Sequence, residues 1–174
     1  MPQQPESWNT KKSSISRSTD KVVCGVDLQS SGVAIAHWPS MYSTFYKLPK
    51  WRKKDDAKTR NQRLRALIEI SEVVPYFNEA DVVYVERAYG INRNSQSTLM
   101  QLLGAFVGGL AAHDIVCEEI NTSSWKAKAL QNGRADKEAI MKWAVKTADR
   151  EFGTQDEADA LCIAYAGYLI ETDT

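Results

Sequence analysis

The stretch Val22–Trp38, VVCGVDLQSSGVAIAHW, reads as two strands joined by a tight turn. Val22, Val23, Cys24 and Val26 lead into the turn, and Val33, Ala34, Ile35 and Ala36 lead out of it. Ser30-Ser31-Gly32 supplies the small, turn-forming residues between them. The first strand closes on one charged residue, Asp27. A carboxylate there costs desolvation energy unless a cation or hydrogen-bond donors compensate it. Asp27 is thus the first candidate for chemistry.

Downstream, Met41–Leu48 predicts a third strand, stopped by Pro49, and three strands with short turns predict an antiparallel meander. Lys and Arg then crowd the chain from Lys47 to Arg65, running into a helix whose Leu64, Leu67, Ile68, Val73 and Val74 recur at helical spacing. Asp81–Glu86, DVVYVE, predicts a fourth strand, short and apolar like a buried central one, and it too ends in a carboxylate. A long helix over Asn94–His113 carries Gly104, Ala105, Gly108 and Gly109, which let another surface approach closely. Ile115–Ile120 predicts a fifth strand, followed by loop and cap chemistry ahead of Trp125 and a basic helical or turn segment. Two helices, over 135–152 and 156–170, complete the chain. Each of the last two strands follows a helix, which favours parallel pairing. The expected fold class is α/β: a mixed five-stranded sheet, three antiparallel strands then two parallel, with helices on both faces.

Residues 21–174 are read as one domain, preceded by a polar, Ser- and Thr-rich extension over 1–20 that is expected to be disordered. The 174 residues are 43% hydrophobic and 25% charged, the balance of an ordinary globular protein, and the formal net charge is zero. Charge therefore has to be judged by where it lies. No apolar run approaches the roughly 20 residues a bilayer needs, and the first twenty residues lack the apolar segment of a secretory signal. Cys24, Cys117 and Cys162 are odd in number and set among apolar neighbours, so they are read as free thiols of a reducing, cytoplasmic setting. His37 and His113 stand apart, without zinc-type spacing.

Three acidic places remain: Asp27, Glu86, and the run Asp156-Glu157-Ala158-Asp159 at the start of the last helix. In open α/β sheets, sites form at the carboxyl ends of parallel strands. If the first and fourth strands are neighbours, Asp27 and Glu86 stand side by side. Asp156 and Asp159, three apart, share a helix face. Acids gathered this way repel one another and raise their own pKa values. Divalent cations relieve that, and an all-oxygen set suits Mg²⁺ or Mn²⁺ rather than zinc. Two such ions ~4 Å apart can drive phosphodiester hydrolysis. Plainer readings exist for each acid alone: Asp27 as a turn former, Glu86 paired with Arg87, Asp156 and Asp159 as caps or answers to the helix dipole.

Taken together, GVDLQSSGVAI, VVYVERAYG and DEADALCIA resemble the three signature segments of the RuvC family of Holliday junction resolvases, in the ribonuclease H-like, retroviral-integrase superfamily. The likeness spans residues 21 to 171. It implies a ribonuclease H-like fold and a homodimer that cuts four-way DNA junctions symmetrically, leaving 5′-phosphate and 3′-hydroxyl ends. It also implies two Mg²⁺ ions (Mn²⁺ substituting) held by Asp27, Glu86, Asp156 and Asp159, with Asp27 bridging them. Glu157 has no place in the D-x-x-D pattern. Lys126 and Lys137 fall where the family keeps basic residues near the scissile phosphate. Tyr89 falls where it keeps an aromatic that stacks at the opened junction.

Further DNA contacts are expected from Arg87, from Lys53, Lys54 and Arg60 in the basic stretch, and from Lys126, Lys128, Arg134 and Lys137. The helix over 94–113 is the expected dimer face, since a two-fold dimer matches a two-cut reaction. Rival expectations are a nuclease of broader branched-DNA or flap specificity and a junction-binding architectural protein without catalysis. Four intact acids argue against the second, because binding phosphate needs no such negative charge.

Overall fold

The structure, a computed structural model, describes residues 21–49, 57–87 and 93–173. The extension 1–20 therefore lies outside the described residues, as do Lys53, Lys54 and Tyr89. Strands β1 (Val23–Gln29), β2 (Gly32–Trp38) and β3 (Ser43–Lys47) form the antiparallel meander. Ser30 and Ser31 make the first turn, with Gln29 opposite Gly32. Helix α1 (Ala57–Ser71) leads through a 3-10 turn at Val74–Phe77 to β4 (Val82–Glu86). Helix α2 (Arg93–Ala111), β5 (Cys117–Ile120), α3 (Thr122–Leu130), α4 (Lys137–Ala148) and α5 (Gln155–Thr172) follow.

The sheet order is β3-β2-β1-β4-β5, with β4 parallel to both β1 and β5. The mixed five-stranded α/β expectation holds. Asp81 pins the central pairing at its start: its carboxylate accepts from the Val22 amide at 2.8 Å, and its own amide donates to the Val22 carbonyl at 2.8 Å. Val26 then stands opposite Val85, so the next residues along, Asp27 and Glu86, lie side by side.

Two cores cover the two faces. One packs α3, α4 and α5 against alternate residues of β1, β2 and β4, with Trp125, Ile140, Leu161 and Ile163 at its centre. The other packs α1 and α2 against the remaining residues, with Phe77, Phe106, Ile70 and Leu110. Helix α5 is buried nearly all round from Ala158 to Gly167, as befits an apolar helix between a sheet and other helices. Its small Ala, Cys and Gly residues allow an unusually close approach. A Cβ on Gly25 would stand 2.2 Å from the Ala160 carbonyl oxygen and 2.2 Å from the Ala164 nitrogen. Glycine is required there because the helix backbone rests directly on the strand.

The structure corrects the first helix. Val73 and Val74 were expected to continue its apolar stripe, but α1 ends at Ser71 and Pro75 sits in the separate 3-10 turn. Among its described residues Thr59, Ala66 and Ile70 are buried and Leu67 packs partly buried against the core, while Leu64 and Ile68 are 57% and 48% exposed. Of the residues helical spacing picked out, Leu67, Val73 and Val74 pack on the core and Leu64 and Ile68 do not. The basic segment after Trp125 is helical within α3, and the helix expected over 135–152 is shorter, capped by Asp136, whose carboxylate accepts from the Ala139 amide.

Candidate active site

Period two along β1 places Gly25, Asp27 and Gln29 on the face covered by α5. Tyr84 of β4 meets α5 on the same face, where a Cβ on Gly167 would touch its ring, so Glu86, two residues on, faces α5 as well. The N-terminus of α5 completes the group. Thr154 caps it, its hydroxyl accepting from the Glu157 amide at 3.2 Å. The capping role proposed for Asp156 is thereby filled by another residue. Asp156 and Asp159 look instead toward the sheet edge, where both raise the pKa of Asp27.

The electrostatics are those of crowded acids. Asp27 is only 6% exposed, and its pKa rises to about 8, first through burial, then through Glu86, Asp159 and Asp156. Asp159 rises to about 6, again mainly through burial, with Glu86 and Asp156 adding and Gln155 and Lys126 opposing. Neutral donors hold the carboxylates in place. The Gln29 amide donates to Asp156 at 2.6 Å and to Asp27 at 3.2 Å. Gln155 donates to Asp159 at 2.9 Å. The Thr122 hydroxyl and the Trp125 indole, the latter at 3.3 Å, both donate to one Glu86 oxygen. Among the described residues, no three acid, histidine or cysteine side chains are already gathered into a metal cage. The donor set nevertheless fits hard divalent cations: every donor is a carboxylate oxygen, and the mutual repulsion is of the kind such cations relieve.

The four donors were missed in the sequence, though two carried a signal. Gln29 is two residues after Asp27 on a strand, and Gln155 is four before Asp159 on a helix. Thr122 and Trp125 carried none, because their approach to Glu86 depends on β4 and β5 pairing with Glu86 opposite Ile120. Glu157 is a brace: it accepts from Ser43 at 3.1 Å and from Thr154 at 3.2 Å, while Arg150 donates to Ser43 at 2.7 Å. This ties the start of α5 to β3.

The expected basic residues divide. Lys126 is half-buried, donates to the Ala135 carbonyl at 2.9 Å and lies 5.4 Å from the Trp125 ring centre. Its charge reaches Asp159. The bond to Ala135 draws the turn between α3 and α4 toward Lys126, with exposed Arg134 and Lys137 on either side of Ala135. Lys128 pairs with Asp173, away from the acids at the far end of α5, and Arg87 pairs with Glu119 at 3.2 Å. Arg60 lies in α1, and only its backbone is described. All three cysteines are free, with Cys24 and Cys162 buried. No helix among the described residues is long and apolar enough to cross a membrane.

Solved Holliday junction resolvases share this architecture. RuvC of Thermus thermophilus superposes with a TM-score of 0.66 at 18% identity, covering 88% of this chain and 97% of that one. The same organism's RuvC in complex with a Holliday junction substrate gives 0.66 at 16% identity, covering 87% and 95%. The yeast mitochondrial Holliday junction resolvase Ydc2 gives 0.55 at 11% identity, covering 86% and 80%. No family model matches the sequence, and no curated protein matches it. The fold is that of a RuvC-like, ribonuclease H-like domain.

Proposed function

We propose that this chain is a Mg²⁺-dependent, structure-selective DNA endonuclease that resolves four-way junctions, with residues 21–174 forming its nuclease domain. The carrying observation is that four acids from three distant segments converge at the carboxyl ends of two adjacent parallel strands, held by hydrogen bonds from neutral side chains, with Lys126 the cation whose charge reaches Asp159. The likeness to a RuvC bound to a Holliday junction substrate supports the DNA class.

Asp27, Glu86, Asp156 and Asp159 would hold the ions, which when bound activate the attacking water and neutralise charge on the leaving oxygen. Burial of Asp27 excludes bulk water from that edge, and α5 fixes two of the four acids against the sheet. Lys126 sits close enough to Asp159 to stabilise charge there, and Lys137 and Arg134 would meet the DNA backbone from the α3–α4 turn. Tyr89 and the stretch holding Lys53, Lys54 and Arg60 complete the proposed DNA surface.

Two paired cuts call for two sites, and we place the homodimer interface on α2. Gly104 and Gly108 leave its outer face bare, and exposed Met100, Leu64 and Ile68 add apolar surface there and on α1.

The test is cleavage of a labelled four-way junction beside a linear duplex of the same sequence, with and without Mg²⁺. Wild-type protein should nick the junction symmetrically and only with metal. Asp27→Asn should bind the junction but lose cleavage by a factor of ~10³ or more, since the site's charge is removed and not its shape. Junction binding without cutting by wild-type protein in Mg²⁺ or Mn²⁺ would favour the architectural reading. Equal cutting of every substrate would favour a nuclease of broader taste.

A further inference from the structure

Among the neutral donors at the site, Gln29 differs from the rest. Thr122 and Trp125 both serve one acid, Glu86, and Gln155 serves Asp159 within its own helix. The Gln29 side chain touches two acids on different elements, Asp27 of β1 at 3.2 Å and Asp156 of α5 at 2.6 Å. Both contacts come from the same nitrogen. An amide oxygen carries no hydrogen, so only this orientation is favourable between two carboxylates. Gln29 ends β1 and is half-buried, with its amide between the strand and the helix.

We propose that Gln29 is a displaceable cross-link. It holds Asp27 and Asp156 together when no cation is present, and it gives them up when a divalent cation takes the same oxygens, so it sets the cation concentration at which the site loads. This rests on the metal reading of the four acids. A neutral amide suits the task because its N–H groups offset part of the repulsion between two carboxylates without the full charge of a lysine. A lysine in that place would satisfy both acids and oppose a cation by direct repulsion. The amide offers only dipoles, which a doubly charged ion outcompetes for hard oxygen ligands. The consequence is two effects of opposite sign. Losing the amide weakens the metal-free fold and strengthens cation uptake, whereas a purely structural prop would weaken both.

The experiment uses the full chain stripped of metal, with Mn²⁺ as the probe. Thermal midpoints are measured without metal, and half-saturation by calorimetric titration. Gln29→Leu keeps the bulk and removes the amide; Gln29→Asn keeps an amide that is too short to span both acids. Both should melt lower than wild type without metal, and both should half-saturate at a Mn²⁺ concentration at least threefold lower. Asp27→Asn serves as the reference for the site itself. Saturable uptake in wild type that Asp27→Asn abolishes, with half-saturation unchanged or higher in the Gln29 variants, would overturn the cross-link and leave the metal reading standing. Wild-type protein that takes up no Mn²⁺ sensitive to Asp27→Asn would overturn both.

Discussion

The two faces of the sheet are built by different rules. On the α5 face, helix and strand backbones meet with nothing between them, because Gly25 has no side chain and α5 offers Ala160 and Ala164 in return. On the α1–α2 face, bulky side chains such as Phe77 and Phe106, 5.5 Å apart edge to face, keep the layers apart. That second face ends outward in a shallow groove of about 470 Å³ between the two helices, lined in part by Leu67, Ile68, Gly108 and His113. The acids lie on the tight face. Close contact fixes α5 along β1, and so fixes Asp156 and Asp159 relative to Asp27. A site made from separate elements gains its precision from such rigid support.

Breaking that contact should have the largest effect. A Cβ at Gly25 meets backbone atoms at 2.2 Å, and backbone cannot rotate away. Gly25→Val should cost at least the upper end of the ~1–3 kcal/mol typical of overpacking. Urea unfolding should show a sharply lower midpoint or an unfolded protein, and Gly25→Ala gives a milder version that can still be measured. A Gly25→Ala protein with wild-type stability would mean that α5 does not rest on β1 as described.

Much of this was legible in the chain. Asp27 and Glu86 each follow an apolar run, Glu86 ending β4 as expected and Asp27 standing two residues before β1 ends at Gln29, and their adjacency followed once the connecting helices implied parallel pairing. The fold's strand count and mixed pairing were legible for the same reason. Less legible was how wide the inward side of α1 is, since Leu64 and Ile68 share helical spacing with Leu67 yet are exposed, while Leu67 packs on the core beside buried Ala66 and Ile70. The role of Thr122 was hidden too: its hydroxyl looked like cap chemistry, yet Asn121 stands at the cap position and Thr122 reaches across to Glu86. Local spacing reveals neighbours on one element. Contacts across elements depend on register, which depends on the whole sheet.

The electrostatic side of the tight face predicts a pH effect of intermediate size. Burial, followed by Glu86, Asp159 and Asp156, lifts the Asp27 pKa from an ordinary 3.8 to about 8 in the folded chain. A raised folded pKa stabilises the fold below the unfolded value and loses that contribution as pH climbs through the folded one. Metal-free protein should therefore melt several degrees lower at pH 9 than at pH 5, with Asp159, lifted to about 6, contributing over the lower part of that range. Asp27→Asn should flatten the dependence, and Mg²⁺ at pH 8 should raise the wild-type midpoint but not the variant's. Melting curves of wild type and Asp27→Asn that run parallel from pH 5 to pH 9 would remove the claim that Asp27 is strained by its neighbours.

The smallest effect belongs to the open face and gives the comparison its sharpest form. Gly109 of α2 packs against α1, where a Cβ would lie 3.0 Å from the Ser71 carbonyl, but Gly104 and Gly108 on the same helix have nothing within 4 Å. A glycine inside a helix with open space above it costs roughly 0.5–1 kcal/mol relative to alanine. Gly104→Ala and Gly108→Ala should therefore each stabilise the isolated fold slightly, the opposite sign from Gly25→Ala. If a second copy docks on this face, the added methyl groups hold the two helices apart, and sedimentation should show the dimer dissociating at higher protein concentration than wild type. A gain in melting temperature with unchanged dimerisation would put the interface elsewhere. A loss of melting temperature in dilute monomer would show that the outer side of α2 is not bare.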